Sequence, residues 1–109
     1  MILAIDTGNT HIVLGCIDNK GAISHIIRLE TNLGKTEYEY ASDIKQILEL
    51  EGVDRYGFDG AIISSSVPPI IEILKRAVKV ITGIDAMVVG IGIKTGLDIV
   101  LDDLPDVQA

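Results

Sequence analysis

The sequence predicts an α/β domain on a mixed β-sheet, with its elements in the order β-β-β-α-β-α-β. Three observations carry that reading. Three short apolar runs follow one another before Glu30, separated by turn chemistry and with no helical period between them. Two later stretches, Thr36 to Leu50 and Pro68 to Thr82, switch to helical spacing and carry start and stop signals. Each is followed by an apolar segment of strand length. Consecutive strands call for an antiparallel hairpin portion, and the strand-helix-strand units after them call for parallel crossovers. A Rossmann domain is excluded, because it needs a helix directly after its first strand and residues 11 to 17 are too apolar and too soon followed by turn residues.

Ile2 to Ile5 is a continuous apolar run before Asp6, as expected of a strand covered on both faces whose end presents polar chemistry. After the turn at Thr7 to Thr10, Ile12 to Ile17 forms the second strand. Asp18-Asn19-Lys20-Gly21 then provides two side chains tolerant of left-handed geometry and a glycine. Ala22 to Leu29 is the third strand, placed nearer an edge because polar residues interrupt it. In the first helix, Tyr40, Ala41, Ile44, Ile47 and Leu48 share an apolar face while Glu37, Asp43, Lys45 and Glu49 form a solvated one. Thr36 and Glu39 match a capping box, and Gly52 marks the stop.

Ala61 to Ile63 is a short buried strand running into Ser64-Ser65-Ser66. Pro68-Pro69 opens the second helix, which passes through Leu74 and Val78 and stops at Gly83. Ala86 to Val89 is the last clear strand. Gly90 to Gly96 is a glycine-rich connection, Leu97 to Leu101 has strand character, and Asp102 to Asp106 is an acidic loop. No internal repeat or low-complexity segment interrupts the chain.

The 109 residues suffice for one domain with a real core, and 48% of them are hydrophobic, with no Trp. The net charge of −7 and the scattering of nine basic residues disfavour nucleic acid as a partner. The single cysteine, Cys16, excludes an internal disulfide and a cysteine-based zinc site. No apolar run reaches the ~18 residues of a membrane span, and no basic region precedes a hydrophobic one at the N-terminus. The chain therefore reads as cytoplasmic, away from membranes.

Asp6-Thr7-Gly8-Asn9-Thr10 joins the first two strands, and the residue types have a specific use. A carboxylate at a strand end, Asp6, suits a magnesium ion held directly or through water. Gly8 lets backbone approach a phosphate unobstructed, while Asn9 and Thr10 supply backbone and side-chain donors to its oxygens. Such a hairpin cradles a polyphosphate; in phosphoryl transfer the protein contributes chiefly positioning and charge stabilisation. The same five residues in isolation also make an ordinary tight turn.

With its position at the start of a β-β-β-α unit, the hairpin resembles the phosphate loop of the acetate and sugar kinase, Hsp70 and actin group. More specifically, the chain resembles the type III pantothenate kinases, formerly labelled Baf transcriptional activators. The resemblance spans the whole chain through Met1 to Thr10, Ala61 to Pro69 and Gly92 to Leu97. It implies an actin-like ATPase fold of the ribonuclease H type, with residues 1–109 as the first of two such domains. It also implies ATP-dependent phosphorylation of pantothenate, a homodimer, magnesium, and a monovalent cation, potassium or ammonium. The family's ATP-phosphate segment falls on Asp6, Thr7, Gly8, Asn9, Thr10, His11, Ile12 and Val13, the last three chiefly through backbone, with Asp6 as the metal-binding residue.

The family's Gly-Ala-Asp-Arg stretch aligns Gln108 with the glycine and Ala109 with the alanine, so the catalytic base is expected just after Ala109 and no catalytic residue within the chain. Leu101 stands at a usually aromatic position close to pantothenate, and Gly90-Ile91-Gly92 replaces Gly-Pro-Gly. Leu101, Gln108 and Ala109 are thus the substrate-side candidates. Adenine and monovalent-cation residues are expected in the second domain. Two other readings stand beside the kinase: a transcriptional regulator, and a degenerate nucleotide-binding or interaction module without catalysis.

Ser64 to Ser66 admit two readings, an anion site at the second helix N-terminus or simple capping. Lys94 and Thr95 fit either a contact with phosphate or carboxylate or a solvated loop. His11 suits a local hydrogen bond better than catalysis, and His25 an outward-facing strand position. Cys16 is read as a small buried apolar side chain. Tyr38 and Tyr40 fit helix-surface and core roles as well as a ligand-flanking one.

Overall fold

The computed structural model describes residues 1–89. They form β1 (Ile2–Thr7), β2 (His11–Ile17), β3 (Ile23–Glu30), α1 (Glu37–Leu50), β4 (Gly60–Ser65), α2 (Pro68–Thr82) and β5 (Met87–Val89), the order expected from the sequence. The five strands make one mixed sheet in the order β3-β2-β1-β4-β5. β1, β2 and β3 are antiparallel neighbours, and β1, β4 and β5 run parallel. The central strand is therefore β1, and its carboxyl end lies beside that of β4.

Alternation along the strands sends Leu3, Ile5 and Thr7 of β1 to one face, together with their register partners Cys16, Leu14 and Ile12 of β2 and Ala61, Ile63 and Ser65 of β4. Both helices supply the other half of that core. Tyr40, Ala41, Ile44 and Leu48 of α1 and Ile70, Leu74, Ala77, Val78 and Ile81 of α2 are buried in one cluster with the strand residues. Ala4 and Val13 form a smaller buried cluster on the opposite face, against partly buried Ile17 and Ile23. Cys16 is fully buried, and desolvation raises its thiol pKa.

The caps explain where the helices sit. Thr36 accepts the Glu39 N–H through its side chain while the Glu39 carboxylate takes the Thr36 N–H, the expected capping box. α2 has no side-chain cap at Val67. It needs less of one, because Pro68 and Pro69 have no N–H and Ile70 N–H reaches the Val67 carbonyl at 3.1 Å. Gly83 closes α2 with φ 77, a left-handed conformation that a Cβ would strain. Tyr40 is held at both ends of its hydroxyl, accepting from Asn32 N–H at 2.7 Å and donating to Asn32 carbonyl at 2.9 Å.

β3 and β5 begin one residue later than read from the sequence, at Ile23 and Met87, while β1 and β4 run past their apolar residues. β1 extends through Asp6 and Thr7, and β4 through Ser64 and Ser65, because backbone pairing continues past the last hydrophobic residue. A second departure is a bulge in β3. Cys16 faces Ser24 and Leu14 faces Ile27, so the single residue Gly15 stands opposite both His25 and Ile26. His25 is exposed as expected, but absorbs the bulge with φ 52. The readings of 90–109, including Lys94 and Thr95, Leu101, Gln108 and Ala109, lie outside the described residues.

Candidate functional site

The parallel pairing of β1 with β4 brings Asp6 beside Ser64 and Thr7 beside Ser65 at the carboxyl ends of both strands. The antiparallel pairing sets Val13 on the other side of Asp6. With Arg28 beside Val13 and Val89 beside Ser64, five residues form a row across the sheet: Arg28, Val13, Asp6, Ser64, Val89. Register partners share a face, so this row lies on the side away from the helices. Asp6 is half-buried there, flanked in register by Val13 of β2 and Ser64 of β4.

On the helix side, Thr7 and Ser65 are buried polar residues that satisfy one another, with Thr7 Oγ1 donating to Ser65 Oγ. Ser65 Oγ also accepts Val67 N–H at 2.8 Å. Ser66 turns back to β1, where its N–H and its hydroxyl both donate to the Thr7 carbonyl at 3.2 Å. Of the two readings of Ser64 to Ser66, the anion site loses donors. The Ser66 amide is occupied, and the first two positions of α2 are prolines without N–H. The capping reading is not met either, since α2 has no side-chain cap; Ser65, two residues ahead of the N-cap Val67, accepts the Val67 N–H.

The loop between the strands is held by three hydrogen bonds. Gly8 N–H donates to His11 carbonyl at 2.8 Å and closes the turn. From the end of β3, Thr31 N–H donates to Thr10 carbonyl at 2.9 Å and Thr31 Oγ1 donates to Gly8 carbonyl at 2.8 Å. Gly8 is buried, whereas Asn9 and Thr10 are exposed at the tip. His11 Nδ1 lies 3.1 Å from Thr10 Oγ1, the local hydrogen bond anticipated for it. Ile12 and Val13 are buried strand residues, so they meet a ligand through backbone if at all.

Structure thus brings Asp6 to Val13 together at one sheet edge, beside Ser64 to Ser66. It keeps the tyrosines apart from them. Tyr40 is core, and Tyr38 lines a surface groove of about 290 Å³ between α1 and α2 with Ser42, Lys45, Arg55 and Val80. Three or more His, Cys, Asp or Glu side chains do not converge anywhere among the described residues. The sequence does not single out Thr31, and Ser66 reads there as an anion donor or cap, not as an anchor of the Thr7 carbonyl. The available signal for Thr31 was topological, because a third strand returning beside the second must end next to the loop.

A model of the family described as type III pantothenate kinase matches residues 2–107. The chain belongs to the type III pantothenate kinase family. It is 46% identical over 109 residues to a type III pantothenate kinase of Geobacillus sp. (strain WCH70), and 44% identical over 109 residues to that of Bacillus cytotoxicus. Both alignments span 100% of the chain but 42% and 41% of those relatives, so the chain covers less than half the length of the pantothenate kinases it matches. Among solved structures it is similar to a ROK hexokinase from Thermus thermophilus, with TM-score 0.57, 16% identity, and coverage of 82% of this chain and 34% of that one. A ROK glucokinase from Streptomyces griseus, solved with glucose and AMPPNP, gives TM-score 0.55 at 22% identity over 82% of this chain and 32% of that one. These likenesses bear on the fold and agree with an α/β domain of the actin-like ATPase type.

Proposed function

We propose that the protein containing this chain transfers the γ-phosphate of ATP to pantothenate, giving 4'-phosphopantothenate in the first step of coenzyme A biosynthesis. The observation that carries the reading is the anchored loop Gly8 to Thr10, with Asp6 at its base, in a chain of this family. In the reaction the pantothenate hydroxyl oxygen attacks the γ-phosphorus, the bond to the β–γ bridging oxygen breaks, and ADP leaves. The hydroxyl proton passes to a base beyond Ala109.

The roles within the chain follow from position. Gly8, Asn9 and Thr10 offer donors to the phosphate oxygens, with Thr7 and His11 to Val13 as the flanking strand backbone. A half-buried carboxylate at a strand end fits magnesium, which keeps several waters and takes one or two carboxylates together with phosphate oxygens. Asp6 would hold it; when bound with nucleotide, magnesium neutralises charge on the phosphates. Residues 1–109 act as the N-terminal, phosphate-binding domain, and Leu101, Gln108 and Ala109 belong to the pantothenate wall. A second domain carries the adenine and the potassium or ammonium sites, and the protein works as a cytoplasmic homodimer without nucleic acid or membrane partners.

Asp6→Asn in the full-length protein tests the assignment. Turnover is expected to fall by about 10²–10³ while the unfolding transition stays in place. Unchanged kinetics would remove Asp6 from the metal site. The regulator reading is opposed by the net charge of −7, and DNA binding that saturates at physiological salt in a gel-shift assay would restore it.

A further inference from the structure

We propose that Thr31 is a positioning residue for the nucleotide phosphates, acting through the backbone of the loop Gly8 to Thr10. The inference rests on the kinase reading above. Thr31 carries no charge and lies outside the Asp6 to Val13 segment, yet it makes two hydrogen bonds to that loop with two different groups. Its Oγ1 donates to the Gly8 carbonyl at 2.8 Å, and its N–H donates to the Thr10 carbonyl at 2.9 Å.

What those bonds fix is peptide orientation. The described residues contain no cis peptide bond, so the carbonyl of one residue and the N–H of the next point in opposite directions. Pulling the Gly8 carbonyl towards Thr31 aims the Asn9 N–H away from β3. Asn9 is exposed, and its N–H has no protein partner among the described residues. On the other side of the loop, the Thr7 carbonyl is held by two donors from Ser66, which aims Gly8 N–H at His11. The two anchors leave the Asn9 amide as a fixed donor at the tip, a geometry that costs no reorganisation when an anion arrives.

The register that brings Thr31 to this place depends on the bulge in β3. Near the hairpin, Cys16 faces Ser24; carried on without a bulge, that pairing would set Thr31 opposite Asn9 and Glu30 opposite Thr10. The extra residue at His25 and Ile26 shifts the strand by one, so that Glu30 faces His11 and Thr31 reaches Thr10. A left-handed His25 therefore sets the phosphate loop's support from about 20 Å along the strand.

The test uses the full-length protein with Thr31→Val, which deletes the hydroxyl at constant shape, and Thr31→Ser, which retains it. Calorimetry of magnesium-ADP and magnesium-AMPPNP binding is paired with steady-state kinetics and with melting in the absence of nucleotide. Thr31→Val is expected to weaken nucleotide binding and raise the ATP KM about tenfold, the equivalent of one lost hydrogen bond. The pantothenate KM should stay within about twofold and the unliganded Tm within about 2 °C of wild type, with Thr31→Ser close to wild type throughout. Nucleotide binding unchanged in Thr31→Val would overturn the proposal, as would equal losses in both variants or a loss matched by general destabilisation. The wild-type arm reports on the kinase reading separately. Nucleotide bound without pantothenate phosphorylation sinks that reading while the binding comparison still decides the role of Thr31, and no nucleotide binding at all sinks both.

Discussion

At the scale of single residues, two side chains carry a pH dependence of the same sign. Burial raises the Cys16 thiol, and the hydrogen bond from Lys35 to Asp43 at 2.6 Å raises the lysine. A group whose folded pKa lies above its unfolded one contributes stability that is complete below the unfolded value and is lost as pH rises through the folded value. Both groups therefore predict a denaturation midpoint that falls at alkaline pH, the thiol's part above its ordinary 9.0 and the lysine's above its ordinary 10.5, and that Cys16→Ala and Lys35→Met each flatten in its own range. Urea titrations at a series of alkaline pH values check this, and a midpoint rising over that range would contradict it. Residue chemistry was legible for His11 and Cys16, whose local hydrogen bond and burial are as read from the sequence. It was least legible for Thr31 and Ser66, whose hydroxyls are ordinary until topology places a carbonyl opposite them.

Among the elements, α1 and α2 show two solutions to the same problem of unpaired N-terminal amides. α1 uses a reciprocal side-chain box, whereas α2 starts with prolines that have fewer amides to satisfy. Thr36→Ala should therefore cost about 1 kcal/mol of stability. Ser66→Ala should spare α2 and loosen the β1–β4 junction, because Ser66 serves the Thr7 carbonyl and not the helix. Denaturant unfolding with amide exchange of α2 and of Thr7 to Thr10 separates the two. Helix limits and caps were readable because Thr36, Glu39, Pro68 and Gly83 act locally. Strand limits were readable only as far as hydrophobicity reached, and β1 and β4 continue past it on backbone pairing. The bulge at His25 left no trace in the pattern, since neither its residue types nor their hydropathy require it.

For the whole molecule, the order β3-β2-β1-β4-β5 gathers the ends of β1 and β4, the loop Gly8 to Thr10 and the end of β3 at one edge of the sheet. The chain accounts for 42% of the length of its Geobacillus relative. The central claim is that this edge holds ATP phosphates for transfer to pantothenate by a base and a second domain beyond Ala109. The most direct measurement follows ATP, pantothenate and their products by mass spectrometry, with full-length protein and with residues 1–109 alone, in magnesium and potassium. The account predicts 4'-phosphopantothenate and ADP in equal amounts from the full-length protein and none from residues 1–109. Turnover by residues 1–109 alone, or ATP left intact by the full-length protein in the presence of pantothenate, would contradict it.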